Sequence, residues 1–101
     1  MLSDADIMAQ VLAAFQEEQA EHRQAIAGLL LELERAPADV GKPAIDQLFR
    51  EAHSLKGGAR AAGQAAVEQI AHQMEDVFSA VRQGRLALTP EMCDPLYAAL
   101  E

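Results

Sequence analysis

The stretch Ile45-Asp46-Gln47-Leu48-Phe49-Arg50-Glu51-Ala52-His53-Ser54-Leu55-Lys56-Gly57-Gly58-Ala59-Arg60-Ala61-Ala62 decides how the chain is read. Its apolar positions, Ile45, Leu48, Phe49, Ala52, Leu55, Ala59 and Ala62, recur every three or four residues, the spacing of one helix face. Gly63 then offers a stop. Gly57-Gly58 break the local rule, since each glycine inside a helix costs about 1 kcal/mol relative to Ala. Two explanations stay open: close packing of a neighbouring helix, or clearance for something approaching that face. On a helical wheel His53, Lys56, Gly57 and Arg60 share one face. That face points about 120° from the centre of the apolar stripe. His53 is therefore expected to be open to solvent, with a cation one turn below it and room above the ring.

The flanks carry the same period. Ser3 and Asp6 have capping-box spacing, and Ile7, Val11, Phe15, Ile26, Leu29, Leu30 and Leu33 follow as a stripe with His22 on it. Arg35 to Pro43, with two prolines and a glycine, reads as a loop. Pro43 suits the first turn of the second helix. Val67, Ile70, Ala71, Met74, Val77, Phe78 and Val81 make a third stripe, with Arg82 in its last turn and Gly84 beyond it as a C-terminal cap. Thr89-Pro90 is a helix start, followed by Met92, Leu96, Tyr97 and Leu100. No β-type alternation or repeat is present. The expected fold is all-α, an antiparallel up-down-up-down four-helix bundle at about residues 3–35, 43–62, 65–83 and 90–101. The first helix is longer than the last can match.

The composition agrees. The chain has 101 residues, half of them apolar, with three Phe, one Tyr and no Trp. This fits one domain with an aliphatic core. Eight basic and sixteen acidic residues give a charge of −8. That argues against nucleic acid and anionic membranes as partners. No apolar run is long enough to span a bilayer, and the acidic start lacks a signal-peptide layout, so a cytoplasmic protein is expected. Cys93, the single cysteine, excludes an internal disulfide. No Glu-x-x-His pair and no His-Glu-x-x-His exists, so no metal site is expected. No nucleotide-binding glycine loop exists either, and the domain is expected not to be an enzyme by itself.

The third helix adds His72 and Glu75, three apart and off the apolar stripe, where they can flank the seam with the second helix. An exposed imidazole is a good nucleophile toward phosphorus when one nitrogen carries a lone pair and the other is held as N–H. Glu75 is the candidate to hold that N–H, unless it pairs with Arg82 or Arg60. Lys56 is the candidate to offset the charge of an incoming phosphoryl group. The glycines would let another protein's active site reach the ring. His22 reads as a half-buried histidine with a local partner such as Glu18, outside any transfer chemistry.

The run His53-Ser54-Leu55-Lys56-Gly57-Gly58-Ala59 resembles the phosphoacceptor motif of histidine phosphotransfer (HPt) domains. Ala71-His72-Gln73-Met74-Glu75-Asp76 through Gly84 resembles the third helix of the version found in chemotaxis histidine kinases (CheA). Phe15 to Glu34 and Leu88 to Glu101 resemble the first and fourth helices, so the similarity covers nearly the whole chain. The resemblance implies that His53 is phosphorylated at Nε2, that Lys56 assists the phosphoryl group, and that His72 and Glu75 form a supporting network. It implies ATP on a separate kinase catalytic domain as donor. It implies an aspartate of a CheY-like response regulator, which itself holds Mg²⁺, as acceptor; no cofactor is expected in this domain. Residues 1–101 would be one such domain, monomeric when isolated and excised from the N-terminus of a larger kinase. Two departures from the family pattern stand out. Arg60 replaces a common glycine and adds a cation to a docking face that includes Gly57 and Gly58. Ala62 replaces a common aromatic, which would remove core volume near the end of the second helix.

Overall fold

The computed structural model describes residues 1–35 and 37–100. Four helices follow in order: α1 Asp4–Arg35, α2 Pro37–Ala61, α3 Ala65–Arg82 and α4 Pro90–Ala99. Among the described residues there is no strand, and the chain is an all-α bundle.

Helix ends follow local chemistry. The Ser3 hydroxyl accepts from the Asp6 N–H at 3.1 Å while the Asp6 carboxylate accepts from the Ser3 N–H at 3.2 Å. These bonds satisfy donors that the helix itself leaves free. They also hold the Asp6 carboxyl below its usual range. α2 and α3 both end in a left-handed glycine, Gly63 (φ 71°) and Gly84 (φ 76°). At each, the residue after the glycine bonds back five positions, Gln64 N to Ala59 O and Arg85 N to Ala80 O, closing a Schellman motif.

One expectation is corrected, and another is met without its expected hydrogen bond. The loop across Arg35–Pro43 is instead mostly helical backbone: α1 runs through Arg35 and α2 starts at Pro37, broken at Gly41 (φ 11°, ψ −120°). Proline is tolerated in a first turn, where its missing N–H would have no partner. Ala36 lies outside the described residues, as does the expected end of the fourth helix at Glu101. Thr89 occupies the N-cap of α4 with extended backbone, but its hydroxyl makes no cap hydrogen bond.

Contacts between α1 and α2 run in opposite chain directions, Gln19 meeting Leu55 and His22 meeting Glu51. Those between α2 and α3 do the same, Lys56 meeting Glu75 and Arg60 meeting Glu68. α2 is thus the central member, and the core gathers on it: Leu48, Ala52 and Leu55 pack with Ile26 and Leu30 of α1 and Ala71, Met74 and Phe78 of α3. Each large side chain buried there contributes about 1.5–3 kcal/mol. α4 lies chiefly against α1. The Tyr97 hydroxyl donates to Glu34 at 3.2 Å. Cys93 closes the core from the same helix. Burial and the Glu34 carboxylate push its thiol up to about 11, so it stays a protonated core residue at neutral pH.

The front of α1 departs from its stripe. Ile7, Met8, Val11 and Leu12 are exposed, Val11 by 57%. α1 is about 48 Å long at 1.5 Å per residue, nearly the 54 Å length of the molecule. α2 reaches α1 only as far as Phe15, which lies beside Gly58. Apolar spacing identifies the face that points inward but does not say whether a neighbour extends far enough to cover it. Ala62 is exposed, so its small side chain removes nothing from the core.

Candidate functional site

His53 stands on the exposed side of α2, its side chain 64% accessible. Its Nδ1 lies 3.1 Å from Glu75 Oε2 on α3. A carboxylate can only accept there, so Nδ1 carries the proton and Nε2 keeps its lone pair toward solvent. The same oxygen lies 2.8 Å from Lys56 Nζ. Glu75 therefore bridges the two residues that the helical wheel put on one face.

Glu75 is 15% exposed. Burial pushes its carboxyl up, but hydrogen bonds from Lys56 and His53 and their charges outweigh this, leaving it below its ordinary 4.5. A carboxyl lowered by folding stabilises the fold above its ordinary value and loses that contribution as pH falls through the lowered one. At neutral pH the bridge is intact.

The other proposed residues divide. Gly57 is open, and a Cβ there would meet nothing within 4 Å. A Cβ on Gly58 would overlap the Gln19 side-chain amide and stand 3.2 Å from Phe15. Close packing thus accounts for Gly58, while Gly57 has no neighbour to clear and is the residue left for the clearance explanation. Arg60 is 82% exposed and reaches Glu68 at 4.0 Å, not Glu75. His72 turns away from the network that the resemblance implied: its Nε2 lies 3.5 Å from Asp76, and no hydrogen bond or ion pair joins it to His53 or Glu75. Glu75 pairs with neither Arg82 nor Arg60. Arg82 lies over the Phe49 ring, its guanidinium carbon 4.1 Å from the centroid.

Sequence reasoning missed three contributors. Phe49 stacks beside His53, ring centroids 6.4 Å apart and planes 15° from parallel. It lies one turn before His53, a spacing that signalled the contact. Gln19 is the buried polar residue of α1, and its amide donates to the Leu55 carbonyl at 3.3 Å. Its place on an apolar stripe was the available signal. Glu51 takes His22 Nδ1 at 2.6 Å, well inside the 3.7 Å between His22 Nε2 and Glu18. His22 was expected to be half-buried, to pair locally and to stand outside the transfer chemistry. It pairs mainly across helices, and it lines with His53, Phe15, Glu18, Gly57 and Ala61 a groove of about 460 Å³ between α1 and α2.

Among the described residues no three His, Cys, Asp or Glu side chains converge as for a metal ion, and no helix is long and apolar enough to cross a membrane.

An exposed imidazole fixed in one tautomer by a carboxylate, beside a lysine and a clear glycine, is the arrangement on which comparison with known proteins bears. The Hpt domain family matches residues 10–101. The chain belongs to that family. It is 37% identical over 90 residues to the chemotaxis protein CheA of Halobacterium salinarum, covering 89% of this chain and 13% of that protein. Against CheA of Bacillus subtilis it is 35% identical over 94 residues, 93% of this chain and 14% of that protein. A gliding motility regulatory protein of Myxococcus xanthus is 43% identical over 77 residues, 76% of this chain and 10% of that protein. The chain thus spans only about a seventh of the CheA proteins it matches. No solved structure matches it significantly.

Proposed function

We propose that this Hpt domain is the phosphohistidine carrier of a His-to-Asp relay, in chemotaxis signalling as the names of its relatives indicate. The observation that carries the reading is His53 itself, exposed, with Nδ1 held by Glu75 and Lys56 on the same carboxylate. The Nε2 lone pair attacks the γ-phosphorus of ATP held by a kinase catalytic domain. An N–P bond forms as the P–O bond to ADP breaks, and the ring keeps its Nδ1 proton against Glu75. In the second half an aspartate oxygen of a CheY-like response regulator attacks the same phosphorus. The N–P bond breaks and its electron pair returns to Nε2. Lys56 offsets the phosphoryl charge, and Gly57 leaves the approach clear. ATP belongs to the kinase domain and Mg²⁺ to the regulator, so the carrier needs no cofactor of its own. It acts as substrate, not as catalyst. His72 and Arg60 belong to the surface around this site, with Arg60 available to a docking partner. Residues 1–101 act as one domain of a larger cytoplasmic kinase.

The test is incubation with a CheA-type kinase core and ATP, then mapping of the acid-labile phosphate. Label on His53 supports the reading, and label elsewhere or none overturns it. Glu75→Ala should slow labelling by about tenfold or more, because the ring loses both its fixed tautomer and its basicity. An unchanged rate would remove Glu75 from the chemistry.

A further inference from the structure

An exposed imidazole with two rotatable bonds has several rotamers open to it. One hydrogen bond at Nδ1 fixes a nitrogen but leaves the ring free to swing. The rest of the restraint lies on the other side of the ring. Phe49, half-buried on α2, stacks beside His53 with nearly parallel planes, at a separation typical of paired aromatic rings. Over Phe49 lies the Arg82 guanidinium, 4.1 Å from the ring centroid, well within cation–π range. Among the described residues no carboxylate lies within 4 Å of Arg82, so the ring is what anchors it. Arg82 and Glu75 are seven apart on α3, two turns along one face. Both restraints on His53 therefore lead back to the same helix, one through a nitrogen and one through a neighbouring ring.

We propose that Phe49 and Arg82 are positioning residues for phosphoryl transfer: Arg82 pins Phe49, and Phe49 keeps the His53 ring in the rotamer that aims Nε2 outward. This rests on the reading of His53 as the carrier. Neither side chain touches the phosphoryl group. Replacing either should let the ring swing off Glu75, so that Nδ1 no longer holds the proton all of the time. The planar guanidinium suits the ring face, but an ammonium also binds an aromatic face, so Arg82→Lys should retain part of the effect.

The experiment uses the 101-residue chain as wild type, Arg82→Met, Arg82→Lys and Phe49→Leu. Each is labelled by the CheA-type kinase core with ATP, and the His53 ring nitrogens are followed by ¹⁵N NMR. Arg82→Met should keep the wild-type melting temperature, lower kcat by about fivefold with little change in KM, and average the His53 nitrogen signals toward a tautomer mixture. Phe49→Leu should do the same or more, and Arg82→Lys should recover part of the rate. A merely structural role would lower the melting temperature and leave the nitrogen signals of the folded fraction alone. Should Phe49→Leu fail to fold, exposed Arg82 still decides the matter. Unchanged kcat and unchanged nitrogen signals in Arg82→Met overturn the positioning role. If the wild-type chain takes no label on His53, it is the carrier reading that falls.

Discussion

His53→Gln is expected to take up no phosphoryl label from kinase and ATP while melting within a few degrees of the wild-type chain. The amide of glutamine has no lone pair able to hold a phosphoryl group, so the loss should reach background. The fold should be indifferent because His53 contributes nothing to the core. Its neighbours Ala52 and Leu55 are buried, and the imidazole projects away from them. Surface substitutions of this kind usually change stability by less than about 0.5 kcal/mol, a few degrees at most in a domain of this size. Glu75 is not orphaned by the change, since Lys56 still pairs with it at 2.8 Å. The other histidines are poor substitutes. His22 also has a carboxylate on Nδ1, but it is half-buried and its Nε2 faces Glu18, whose charge repels a phosphoryl group. His72 faces Asp76 in the same way. Labelling by autoradiography, with circular dichroism melts beside it, checks both halves. Normal labelling in His53→Gln would end the carrier assignment.

Much of this site could be read before any coordinates. The exposure of His53 and its alignment with Lys56 and Gly57 need only the angle per residue within one helix. Helix ends were legible for the same reason, because Ser3 with Asp6, Gly63 and Gly84 act on their own neighbours. What the sequence could not supply was the register between helices. Whether Glu75 or His72 turns toward His53 depends on how α3 is rotated against α2. Both residues lie off the apolar stripe, so either assignment satisfies the pattern. The cross-helix partner of His22 was hidden likewise, Glu51 being 29 residues away. Coverage was the second gap: Ile7 and Val11 keep the period of the buried stripe, yet α2 does not reach them. Chemistry named Glu75 as the carboxylate for the ring N–H, the family resemblance set His72 in the same network, and only geometry separates the two.

The adjacent glycines should give opposite results when enlarged. Gly57→Leu should leave stability unchanged or raise it by up to about 1 kcal/mol, because leucine is the better helix former and its Cβ meets nothing. Phosphotransfer should nevertheless fall by about tenfold or more, since the side chain would stand in the groove that His53 lines. Gly58→Leu should behave in reverse. Its side chain must displace Gln19, whose amide is buried and bonded to the Leu55 carbonyl, and must press on Phe15. Overpacking costs about 1–3 kcal/mol, and a buried polar group left without its partner costs about 1–3 more. The sum is a large share of the ~5–15 kcal/mol available to a domain, and the melting temperature should drop by roughly 10–45 °C. What remains folded should transfer better than Gly57→Leu does, because the Gly58 side chain heads toward Gln19 and Phe15 on the α1 wall of the groove that both glycines line. Thermal melts and single-turnover transfer on the same two variants separate the roles. A stable Gly57→Leu that transfers normally would mean that nothing approaches the ring across that face, and the clearance argument would be lost even if His53 is phosphorylated.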